Sequence, residues 1–355
     1  MTRVTFNNQK SVFFRSISSK VDQYFKENNL KRTGNRKLYI KAAILLIGGF
    51  LTYMTLLTVS MHPLLAIAIC ILFGITQAAI GFNIMHDANH GSFSTRKWVN
   101  YLMGLTGNAL GVNSWFWKQK HNVIHHTYTN VDGVDDDIIK SPFLRMCESQ
   151  PRWKLHRFQF LYSLPLYGFT TLMWIFFDDF EKYFRKEIQG TELKKMELRE
   201  HFVFWASKIL YVLFFVLIPM YMIGIIPFII GFLIIHFSMG ISLAIVFQLA
   251  HVVEKTHFED ANDAAIQIND EWAVHQIKTT ADFATHNKVI GWFTGGLNFQ
   301  VEHHLFPHIS HVHYPVIHNI VRDACKENSI RFNQYPSMMA ALISHLRFLK
   351  QLGKA

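Results

Sequence analysis

Cysteine is scarce in this sequence: three in 355 residues, at positions 70, 147 and 325. Such wide spacing offers no disulfide framework and no CxxC metal site. There is no HExxH pair, which argues against a zinc-protease helix. No internal sequence repeat is present, and no Pro/Gly-rich linker marks off a separate soluble domain. Asp and Glu number 25 against 35 Lys and Arg, a net charge of +10. No nucleic-acid module accompanies that excess. It reads as attraction to anionic headgroups, or as a docking face for an acidic partner. The first 35 residues are polar and basic, and the first apolar run is too long and too late for a cleaved signal peptide.

Charge is also sparse in four long stretches, where only Lys41 and Lys208 occur, and those stretches set the fold class. Residues 39–59, 64–85, 202–224 and 228–250 form four apolar runs of 21 to 23 residues. At 1.5 Å per residue each spans about 32–35 Å of helix, enough to cross a bilayer. The short connections at 60–63 and 225–227 contain no Lys or Arg, whereas 1–41, 118–200 and 255–355 are rich in both. By the positive-inside rule the connections face away from the cytoplasm. The expectation is an all-α integral membrane protein: four transmembrane helices, both termini cytoplasmic, and a helical cytoplasmic cap. The segments 97–117 and 156–177 are interrupted by Gly, Asn or Pro and read as interfacial or partly embedded helices.

What is abundant is histidine, 20 in all. "HDANH" places His86 and His90 four apart at the end of the second run. "HNVIHH" supplies His121, His125 and His126, and "QVEHH" sets Gln300, His303 and His304 at i, i+3 and i+4 on one helix face. His251 closes the fourth run. All four groups fall on one side of the membrane, so the eight histidines can converge on two metal ions, with waters completing the shells. Imidazole suits iron, zinc and copper. Only Asp87 and Glu302 bring carboxylates into these clusters. The remaining histidines read as structural: His236 as a packing or helix-contact residue, His318 as unpartnered, and His308, His311 and His313, after Pro307, as surface or headgroup contacts.

At these residues the sequence resembles the membrane fatty-acid desaturases, whose signature is three histidine boxes. The boxes here are His86–His90, His121–His125–His126 and Gln300–His303–His304. "HHTYTNVDGVDDDI" (125–138) and "NFQVEHHLFP" (298–307) are similar to the extended second and third boxes. His251 matches the extra histidine that the family takes from the end of its fourth span. The resemblance covers roughly 40–320 and implies a segmentation into 1–38 (cytoplasmic amino-terminal segment), 39–320 (desaturase domain) and 321–355 (cytoplasmic carboxy-terminal segment). Gln300 in place of histidine is similar to the front-end subgroup, which inserts a double bond between an existing one and the carboxyl end. Many front-end members carry a fused cytochrome domain with an HPGG motif, and here only "HPLL" (62–65) occurs, on the opposite side of the membrane.

The resemblance implies two non-haem iron ions, O2 as co-substrate, and electrons from a separate donor, a b-type cytochrome or a ferredoxin with its reductase. No catalytic group apart from the metal site is expected. The substrate is a long acyl chain, as acyl-CoA or acyl-lipid, in an apolar tunnel at the bilayer, with linoleoyl-CoA desaturation as one form. A bacterial inner membrane is the expected location. Gln300 either ligates through its amide oxygen, holds a water, or only replaces the ring sterically. Asp87 and Glu302 are candidates to orient imidazole N–H groups, with Gln248 and His275 as further candidates around the site. Asp135–Asp136–Asp137 reads as a solvated turn, with a structural role beside the site implied by resemblance. Trp115, Phe116, Trp117, Trp292 and Phe293 are candidate tunnel walls or membrane-interface anchors. A membrane hydroxylase or ketolase shares the histidine boxes. A metal transporter, the reading from another class, expects polar ligands at mid-membrane, where only His236 comes near.

Overall fold

The computed structural model describes residues 4–7, 11–138, 141–261 and 266–354. It is helical, and four helices are long and apolar enough to cross a membrane: α2 (Arg36–Thr58), α3 (Pro63–Asn89), α8 (Leu198–Ile223) and α9 (Ile225–His251). The four expected runs lie within these helices except at their ends. Tight turns join α2 to α3 and α8 to α9, so α3 and α9 run in the same direction and end together.

Their contact is close because it is made over small residues. A Cβ built on Gly74 of α3 would lie 2.4 Å from the Ile235 carbonyl oxygen of α9. With lipid as apolar as the side chains, such backbone approach is what holds membrane helices together. The other faces of these helices carry exposed leucine, isoleucine and phenylalanine, such as Ile47, Phe50, Phe202 and Ile226.

The two segments expected at the interface differ from each other. Residues 97–117 break into short helices, including α4 (Lys97–Gly104) and the start of α5 (Ser114–Lys118). The region around 156–177 becomes α6 (Lys154–Gly168) and α7 (Thr170–Arg185), bent by 55° at Phe169. Pro165 lies inside α6 and removes one backbone donor, a usual origin of such a break. The pair packs against α9, and Gly240 of α9 faces the Gly168 carbonyl too closely to carry a side chain.

The cap is built from amphipathic helices. In α1 (Val12–Glu27) the buried residues Phe13, Ile17, Val21 and Phe25 recur every four positions, which is one face of a helix. That face packs against Ile277 of α10 (Trp272–Thr279) and against Ile317, Val321 and Ala324 of α12 (Tyr314–Glu327). The last helix, α13 (Met338–Leu352), closes the opposite flank against α6 and α9. Val4–Phe6 adds a short parallel strand to Ile266–Ile268.

Candidate metal centre

The eight histidines meet in one buried region, none more than 7 % exposed. His86 and His251 come from the carboxy-terminal ends of α3 and α9, where the helix dipole favours a cation. They divide into two groups. His86, His90, His121 and His303 each offer a ring nitrogen within 4.8 Å of the others, and so do His125, His251 and His304. His126 stands between, its ring 4.6 Å from that of His303 and 4.4 Å from that of His304.

The sequence boxes therefore do not map one-to-one onto the groups. His303 and His304, expected on one face of α11 (Gln300–Leu305), go to different groups. Adjacent helical residues differ by about 100°, enough to aim one ring to each side. His121 and His125 also go to different groups, although one ring nitrogen of each and an Asp137 oxygen likewise lie within 4.8 Å of one another. The chain from Gln119 to His125 is a wide π turn, and the His126 amide donates to the His121 carbonyl five residues back. Five residues would be about 140° apart on an α-helix; the π turn brings His121 and His126 together, Nε2 to Nε2 at 3.2 Å. A second π turn, Gly81–Met85, precedes His86. Such turns are rare and gather at functional sites.

The donor set fits metal ions. Seven of the eight histidines, all but His121, have a buried ring nitrogen with no hydrogen-bond partner among the described residues. Each would cost about 1–3 kcal/mol if left unsatisfied. Burial, and then the neighbouring imidazoles, hold His121, His126, His303 and His304 well below the usual histidine range. They are neutral at pH 7, the form that binds metal. His125 is the exception: burial opposes its charge, but the Asp135 and Asp137 carboxylates outweigh that and raise it.

The partners that orient the rings are mostly not those expected. Asp135 accepts from His125 Nδ1 at 3.0 Å and is fixed by the amides of Asn130 and Asp137. Gln276 Oε1 lies 2.8 Å from His304 Nδ1, and the Thr129 hydroxyl 3.1 Å from it. The Tyr314 hydroxyl lies 3.2 Å from His303 Nδ1. Asp87 instead contacts His311 Nδ1 at 2.9 Å and accepts from the Ser310 hydroxyl at 2.7 Å. Glu302 faces His318 Nδ1 at 3.3 Å, beside Asp282 at 2.9 Å. Neither expected carboxylate touches a ring of the two groups. His275 stands one step back, contacting the Thr129 carbonyl.

Several histidines assigned to the surface or left unpartnered are interior. His311 and His313 are buried; His308 is exposed, as expected, although its Nδ1 contacts the His90 carbonyl at 2.8 Å. His311 Nε2 also lies 3.1 Å from Lys41 Nζ, so an imidazole links a buried lysine to Asp87. The polypeptide past Pro307 folds back over the site, because the Ser310 amide donates to the Arg32 carbonyl. His236, deep in α9, sits between the Tyr211 hydroxyl and the Thr171 hydroxyl. Thr129 and Asp135 fall inside the extended second box, the one sequence signal for them. Gln276, Asp282 and Tyr314 carry none.

Gln300 is buried, with its amide nitrogen 2.9 Å from His251 Nε2. It also lines a cavity of about 450 Å³ that runs from His86, His121 and Gln300 past Gln248 and Phe247 toward Leu166 and Phe169. Of the five candidate wall aromatics only Trp117 lines this cavity, stacked on His121 at 4.3 Å. Trp115 packs on Phe116, which turns to Phe204. Trp292 lies beside Lys41, and Phe293 against Phe82. Among the described lining residues Lys120 is the one lysine or arginine, and it pairs with Asp136 and Asp137.

Comparison with known proteins adds a second line of evidence. The family model described as fatty acid desaturase matches residues 61–336. The chain is 37% identical to the sn-1 linoleoyl-lipid 6-desaturase of Arthrospira platensis, over 99% of this chain and 95% of that one. It is 35% identical to the protein of the same name from Synechocystis, covering 99% and 98%. It is also 35% identical to an acyl-lipid (8-3)-desaturase of Physcomitrium patens, covering 96% and 72%.

Proposed function

The chain belongs to the fatty acid desaturase family, and we propose that this fatty-acyl desaturase places a cis double bond between an existing one and the carboxyl end of a chain esterified to a membrane lipid. The observation that carries the reading is the joining of two buried histidine groups to an apolar cavity beside membrane-spanning helices. The lipid-linked substrate and the position of the bond are supported by the names of the relatives, and the position also by Gln300 in the third box.

On this reading His86, His90, His121 and His303 hold one iron ion and His125, His251 and His304 a second, with His126 between and Gln300 beside His251. Iron bound there would supply the oxidising power toward an unactivated methylene that no side chain possesses. Two hydrogens leave the chain, and O2 is reduced to two waters. Two electrons come from a separate one-electron carrier, a b-type cytochrome or ferredoxin, and two protons from solvent. The protein's own part is orientation and exclusion of water. Asp135, Gln276, Thr129 and Tyr314 hold the rings in place, and Met85, Leu243 and Phe247 wall the chain away from solvent. The lysine and arginine distribution supports a histidine end of the helices that faces the cytoplasm.

Expression in a host lacking desaturases, with chains of known unsaturation supplied, tests this directly. Mass spectrometry of the hydrolysed lipids is expected to show one new double bond on the carboxyl side of an existing one. Hydroxylated product alone would overturn the reading. His303→Ala is expected to lose activity and iron while still inserting into the membrane; unchanged iron content would remove His303 from the site.

A further inference from the structure

The cavity does not end in a sealed wall. Its far boundary is Phe169, the residue at the 55° break between α6 and α7. On the other side of that ring lies a shallow groove of about 390 Å³ whose lining includes Ile67, Leu172, Leu233, Phe237 and, again, Phe169. One side chain thus lines both spaces. Phe169 is 49 % exposed, and its ring meets Phe237 edge-on at 5.8 Å between centroids. The Phe237 ring is seated directly on Gly168, where a Cβ would overlap it at 2.1 Å. At this helix break the Phe169 ring, with Phe237 against it, therefore lies between the cavity and the groove.

Position along α9 decides what reaches them. Phe237 lies fourteen residues before His251, about 21 Å along the helix from the histidine end. That depth is in the apolar part of the bundle. Ser238 is the one polar side chain among the described residues lining the groove, and its hydroxyl donates to the Ile234 carbonyl, so a carboxylate or ester there would find no charged partner and would be costly to desolvate. The polar lining residues Lys120, Asp137 and Gln300 lie toward the histidine end of the cavity, so the carboxyl end of an acyl chain belongs there and its methyl end points to Phe169.

We propose that Phe169, backed by Phe237, is the stop that sets acyl-chain length, and that a chain longer than the cavity holds is disfavoured unless this ring is removed and the methyl end can pass into the bilayer. The inference rests on the desaturase reading and names how that site measures its substrate. Phe169→Ala removes the stop and Phe169→Trp enlarges it. Phe237→Ala withdraws the second ring and acts in the same direction as Phe169→Ala.

The readout is the ratio of desaturated twenty- and twenty-two-carbon chains to desaturated eighteen-carbon chains, in cells supplied with equal amounts of each. A variant that folds poorly lowers all products together and leaves this ratio in place. Because a misfit of one methylene in an apolar pocket already costs on the order of ten-fold, Phe169→Ala and Phe237→Ala are expected to raise the ratio by about that factor. Phe169→Trp is expected to lower it. A ratio within about two-fold of wild type in all three variants would overturn the proposal; should one variant fail to accumulate, the other two decide. Absence of any new double bond from the wild-type protein would instead be a failure of the desaturase reading itself.

Discussion

At the scale of single residues, the site depends on groups that contribute no metal-ligating nitrogen. Asp135 is buried, takes two backbone amides and one imidazole, and leaves His125 Nε2 turned to its group. Such an acceptor fixes the ring and makes it a stronger donor, and its loss usually costs about 10–100-fold in metal affinity. Asp135→Asn is therefore expected to weaken iron retention by that order, measured by chelator competition on purified protein with helix content unchanged. Equal retention in wild type and variant would make Asp135 a structural residue only. The eight histidines were legible because seven fall at short, regular spacings and His251 closes an apolar run. Their partners were not, since Gln276 reaches His304 and Tyr314 reaches His303 only through tertiary folding. His318 looked solitary in the sequence for the same reason: Asp282 and Glu302 come to it from other elements.

At the scale of elements, the π turn at Gln119–His125 could not be read from the sequence, because it differs from an α-helix by one carbonyl partner. The helix α11 is anchored in a way the sequence did not suggest, through Glu302 and Asp282 to His318 of α12. Burial pulls His318 down, but hydrogen bonds and charge from the two carboxylates prevail and raise it to about 10 from 6.5. Glu302 is raised too, by burial and the Asp282 charge. Both groups hold their protons more tightly folded than unfolded, so both favour folding at low pH and lose that contribution as pH rises. For His318 the stabilisation is complete below pH 6.5 and lost through about 10. Thermal unfolding in detergent is expected at progressively lower temperature across that window, and His318→Gln should flatten the slope. An unchanged slope in the variant would place the pH dependence elsewhere.

At the scale of the whole molecule, the four spans were legible because a bilayer admits only long apolar helices with every backbone group satisfied. The broken pair α6–α7 was harder, since Pro165 and Gly168 interrupt a run that is otherwise apolar. The proposed topology puts both ends of the chain on one side. Ser19→Cys and Ser329→Cys are expected to react with an impermeant thiol reagent from the side opposite to Ser60→Cys; all three positions are exposed, and the native cysteines are buried. Reaction of all three from one side would overturn that arrangement. The crossing of the histidine boxes has a further consequence. The second box and α11 each send rings to both groups, so on the proposed ligand assignment the first ion to bind immobilises at least half of its neighbour's histidines. Filling of the two positions is then interdependent: titration of metal-free protein should yield molecules with two ions or none, and the singly loaded form should be scarce.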